Sequence, residues 1–268
     1  MWINEKRKAP VSDFLGWVLF VSLFAQVIMF ILEPASVSYA ETGKPTIAYI
    51  LYAAIGMLFT TPAPVISLFI VLRKEEHITV KEYLRRFFYT PQKMKTILIT
   101  GLFCICALVF AIFCGEPNGK PLYMMPLGFI IMLPFVGFAE ETGWRGFLQP
   151  ALEKRFPFPV ATSIAAVIWC VWHFPIWLQP TSNHYGDSMI GFSITIFVWA
   201  FVAAAIYKAT KSVLACAVYH SFINSIGAIY DWNTLFDAYP KSNASLLYFG
   251  TIFILAVIIW YREDKHDR

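Results

Sequence analysis

Eight apolar stretches, most near the ~20 residues that a helix needs to cross a bilayer, dominate this chain. They cover residues 14–32, 47–72, 96–114, 124–152, 160–178, 190–207, 212–230 and 244–261. With 58% of its 268 residues apolar and 14% charged, the chain lies far from the ~25% charged content of an ordinary soluble domain. A soluble fold of this size cannot hide so much apolar area. The same composition excludes a disordered chain, which needs low hydrophobicity and high charge. The net charge of +4 comes from scattered basic residues, not one long block, so no nucleic-acid partner is expected. The expected fold class is all-α, a polytopic membrane protein with about eight transmembrane helices.

The positions of Lys and Arg supply an orientation. If the N-terminus is cytoplasmic, 17 of the 21 basic residues fall in inner segments. Only Lys44, Lys120 and Lys241 fall outside, and Arg145 lies within a span. This positive-inside bias predicts N-in and C-in topology. The first apolar run is followed by Ser38-Tyr39-Ala40, which has the small-x-small form of a signal-peptidase site. The run has 19 residues, longer than the ~7–15 of a usual signal core, so a retained helix is expected.

Pro62 and Pro64 predict a kink in the second span. The fourth is long and carries charges, and is expected to tilt or to break near Gly143. Between residues 73 and 95, Val80, Leu84, Phe87 and Phe88 recur at helical spacing among Lys81, Glu82, Arg85 and Arg86. That pattern fits a short helix lying on the inner membrane surface. The five cysteines, Cys104, Cys106, Cys114, Cys170 and Cys216, form no CxxC pair and read as small buried hydrophobes. Three regions result: residues 1–123 with the first three spans and the surface segment, 124–230 with the charged spans, and 231–268 with the last loop, last span and tail.

Acidic, basic and histidine residues inside spans are few: Glu140, Glu141 and Arg145 in the fourth, His173 in the fifth, and His220 in the seventh, where the polar Asn224 follows one turn later. Each charge at mid-membrane costs at least ~2.5–3.5 kcal/mol, so the default reading is a functional site facing the bundle interior. At 1.5 Å per residue, Glu140, His173 and Asn224 each lie roughly 18–20 Å from the inner end of their helices, so one layer can hold them. Glu141 and Arg145 are i,i+4 and can form an ion pair, while Glu140 is turned about 100° away toward a cavity. His220 and Asn224 are also i,i+4. Taken singly, either histidine fits simple packing, and Asn224 fits interhelical hydrogen bonding.

Glu140-Glu141-Thr142-Gly143-Trp144-Arg145 matches an EExxxR signature. Trp169 followed four residues later by His173, and His220-Ser221-Phe222-Ile223-Asn224 as HxxxN, complete a set of three. Their order and spacing resemble the CPBP family, the CAAX-protease and bacteriocin-processing proteins, also called Abi. The family's second motif usually begins with Phe, where this chain has Trp169, read as a tolerated aromatic exchange. The resemblance covers about 124–230 and implies an eight-helix intramembrane endopeptidase acting on a membrane-associated peptide or protein. The family is commonly described as metal-dependent, and a metal-free glutamate mechanism has also been argued.

On that reading Glu140 is the general base and His173 orients the same water, or binds a metal beside Glu140. His220 and Asn224 donate to the oxyanion, and Glu141 with Arg145 supports them. Glu140, His173 and His220 are the candidate zinc ligands, although the HExxH zinc helix is absent. Two other classes remain open: a proton-coupled transporter, which would be expected to show two related halves, and a non-enzymatic bacteriocin-immunity or assembly factor. A multi-pass protein of a bacterial cytoplasmic membrane is the expectation for location.

Overall fold

A computed structural model describes residues 10–89, 92–182, 184–231 and 243–267. Lys6, Arg7, Lys8, Lys241 and Arg268, which contribute to the charge bias, lie outside the described residues. The fold is helical, as the sequence predicts. Among the described residues, six helices are long and apolar enough to cross a membrane, and a bent pair makes seven. The remaining apolar stretch, the seventh in chain order, forms a shorter helix.

The first helix, α1 (Val11–Thr42), runs ten residues past its expected end and stops where Gly43 adopts a left-handed φ of 67°. The second span is two helices, α2 (Ile47–Ile55) with a π-helical turn at Gly56–Thr60, and α3 (Ala63–Glu76), bent by 52°. The bend falls at the prolines, because Pro62 and Pro64 cannot donate to the preceding turn. Next comes α4 (Val80–Phe88), opened by a capping box in which Thr79 and Glu82 satisfy each other's backbone N–H groups. The Thr79 hydroxyl and backbone N–H hold the Glu82 carboxyl below the usual carboxylate range. The α4 helix docks through Tyr83 and Phe87, leaving Val80, Leu84 and Phe88 exposed. The protein-facing stripe is therefore Tyr83 and Phe87; of the apolar set read from the sequence, Phe87 faces the protein and Val80, Leu84 and Phe88 face outward.

After α5 (Met94–Cys114), the glutamate-bearing span runs unbroken over Met124–Glu153. It does not break at Gly143. It widens twice instead: α6 (Met124–Met132) leads into a π-helical turn at Leu133–Phe138, then α7 (Ala139–Gly143), a second π-helical turn at Trp144–Leu148, and α8 (Gln149–Glu153). The histidine helix α9 (Phe158–His173) passes into a 3-10 turn at Phe174–Leu178. Helix α10 (Met189–Thr210) is the innermost element. Every residue from 198 to 206 is buried, against α5, α9, α11 (Val213–Ile226) and α12 (Asn243–Asp267). Its Ala203, Ala204 and Ala205 let neighbouring backbones come close.

The expected seventh span, residues 212–230, is helical for only 14 residues, about 21 Å. That is short of the ~30 Å hydrocarbon core. Its far end is covered by a loop, where Glu116–Pro117 pairs antiparallel with Tyr230–Asp231 and Asn118 reaches the carbonyls of Ile229 and Gly227. Large apolar side chains such as Phe24, Ile105 and Ile130 point outward, as lipid-facing residues do.

Candidate active site

Close helix packing around the glutamates comes from three glycines. A Cβ on Gly137 would collide with the Ser221 hydroxyl and the Ala217 carbonyl, so this position lets α11 touch the first π-helical turn. On Gly143 it would meet Pro64 at 2.6 Å, and on Gly146 the Phe87 ring at 3.0 Å. These contacts bring α11, α3 and α4 against the charged helix, and α11 carries His220 and Asn224.

The two glutamates face different surroundings. Glu140 lines a cavity of about 750 Å³, together with His173, His220 and Asn224, from three separate elements. Glu141 and Arg145 do not line it. Both are fully or almost fully buried, and the Arg145 guanidinium donates to Glu141 Oε1 at 3.1 Å. The same oxygen accepts from His220 Nδ1 at 3.0 Å. Glu141 thus sits behind His220, fixing its ring and leaving Nε2 free. His173 Nδ1 donates to the Trp169 carbonyl at 2.8 Å, which leaves its Nε2 as the acceptor nitrogen. Glu140 Oε2 accepts from the Trp169 indole N–H at 2.7 Å. All six candidate residues read from the sequence therefore gather here, four on the cavity wall and two behind it.

The rest of the wall mixes apolar side chains such as Met132, Val136, Ile176 and Phe192 with polar ones such as Gln26, Lys120 and Asp187. Trp172 also lines it, its N–H donating to Ser22 at 2.8 Å. His184 contributes to the cavity and pairs with Asp187 at 3.0 Å.

The sequence reading missed the contribution of α1. Ser22, Gln26, Glu33 and Ser36 form a buried polar stripe along it. Gln26 accepts from Gln179 at 2.6 Å, and Glu33 accepts from the backbone N–H and hydroxyl of Thr181. With the Trp172–Ser22 bond, these ties fasten the segment that follows His173 to α1. The helical spacing of the four polar residues was visible. Glu33, however, fell one residue beyond the expected span end and escaped notice.

A family profile described as type II CAAX prenyl endopeptidase Rce1-like matches residues 121–226. That interval holds every one of the six candidate residues. A protein named CAAX prenyl protease 2, from Methanococcus maripaludis, is 24% identical over 228 residues, covering 76% of this chain and 81% of that protein. Both findings support the CPBP family, and with it a membrane protease, a hydrolase of peptide bonds.

The donor set does not fit a shared metal as it is arranged. Among the described residues, no three His, Cys, Asp or Glu side chains converge closely enough to hold an ion. One oxygen of Glu140 is also committed to the Trp169 indole.

Proposed function

We propose that this CPBP protein is an intramembrane endopeptidase that cleaves a membrane-associated peptide or protein with a water activated by Glu140 and His173. The observation that carries the reading is the division between the glutamates, one on the cavity wall and one behind His220. Glu140 Oε1 and His173 Nε2 each accept a hydrogen of the attacking water, which turns the water's lone pair toward the scissile carbonyl. Glu140 takes the proton as the oxygen–carbon bond forms, and later returns it to the leaving amine. Protonated His220, held by Glu141, donates from Nε2 to the developing oxyanion, and the Asn224 amide is the second donor. The apolar side chains of Val136, Ile176 and Phe192 on the wall lower the local dielectric and strengthen these interactions.

The name of the relative makes a prenylated C-terminal peptide the first substrate to assay, and other membrane-anchored peptides the next. The direct test is mass spectrometry of membrane-associated peptides from host cells carrying wild-type protein or Glu140→Gln. A cleavage product present with wild type and missing with the variant is expected. The same products at the same levels in both would remove Glu140 from the chemistry. Metal content supplies an independent check: stoichiometric zinc in wild type, lost together with activity in His220→Gln, would reject the metal-free reaction.

A further inference from the structure

Trp169 stands where the family's second motif usually has Phe, and the exchange brings in one atom that Phe does not have. The indole nitrogen is a donor only. It is buried and points at Glu140 Oε2 from 2.7 Å, the short distance of a charge-assisted bond. The terminal torsion of a glutamate is broad and roughly two-fold, so a carboxylate without such a bond can turn. With the bond in place one oxygen belongs to the protein wall and the other is left for the cavity. The ring itself is wedged in place. Arg145 lies over its face at 4.6 Å, the His220 ring meets it edge-on at 5.4 Å, and its own carbonyl receives His173. One residue thus touches Glu140, Arg145, His173 and His220.

We propose that Trp169 is a positioning residue, whose indole N–H fixes the Glu140 carboxylate with one oxygen held and the other turned to the attacking water. The proposal rests on the reading of Glu140 as general base. The test uses purified full-length enzyme and a cleavable peptide, with Trp169 replaced by 3-benzothienylalanine, which keeps the ring shape and removes the N–H. Trp169→Phe and Glu140→Gln are measured beside it. The benzothienyl variant should keep the wild-type melting temperature and KM, while kcat falls about 10- to 100-fold, the effect of losing one hydrogen bond to a charged group. Trp169→Phe should lose at least as much kcat, because it also lacks the donor. Wild-type kcat in the benzothienyl variant, with Glu140→Gln inactive, overturns the role of Trp169 and leaves the base assignment standing. Wild-type kcat in Glu140→Gln overturns both. A benzothienyl variant that loses melting temperature and kcat together marks Trp169 as packing and also overturns the proposal.

Discussion

Glu141 carries two bonds on one oxygen, from Arg145 and from His220, and its other oxygen is buried with no partner among the described residues. Replacing it with Gln removes the charge that balances Arg145. Breaking a buried pair in this way costs about 3–5 kcal/mol, so Glu141→Gln should lose thermal stability as well as cleavage. Glu140→Gln should lose cleavage alone, since Arg145 and His220 both keep Glu141 as their bonded carboxylate. Matching melting curves for the two variants would undo this division. Asn224 lies on the cavity wall and carries no charge. Asn224→Ala should therefore lower kcat about 10²–10³-fold at nearly constant KM. A KM effect with unchanged kcat would make Asn224 a substrate-binding group instead. The Glu141–Arg145 pair was legible in the sequence because i,i+4 spacing is local. The Glu141–His220 bond was not, because it depends on how α11 settles against the charged helix.

At the scale of elements, local signals served well. Pro62 and Pro64 marked the bend, and the acidic and basic pattern around Leu84 marked α4. The two π-helical turns of the glutamate-bearing span had no such signal, since no residue type specifies them. Packing accompanies the first of these turns, where Gly137 lies against the Ala217 backbone. Gly137→Ala puts a methyl group into a rigid carbonyl and must push α11 away. The expected cost is about 1–3 kcal/mol, with cleavage falling as well because His220 moves off Glu141. Differential scanning fluorimetry and a peptide assay would read both effects, and wild-type values in each would show that α11 does not depend on this contact. Gly146 offers a milder comparison, since its neighbour is the edge of the Phe87 ring.

At the scale of the whole molecule, the all-α membrane class and the position of the site were legible from hydropathy and from a few charges too costly to be incidental. The hydropathy of α10 gave no hint that it is the wrapped central helix, because lipid and protein interior favour the same side chains. The charge bias predicts both termini on the cytoplasmic side, and reporter fusions at each end should be active only there. A C-terminal reporter active outside would require an odd number of crossings. Sequence distance within the site also bears on how the protein is made. His220 lies 79 residues after Glu141, and at about 5–20 residues per second the ribosome needs about 4–16 s to supply it. During that interval the charged helix must enter the bilayer without its histidine. Arg145, already present one turn away, is then the companion that lowers the entry cost of Glu141. The ion pair that later braces the site first serves as a passport at the translocon.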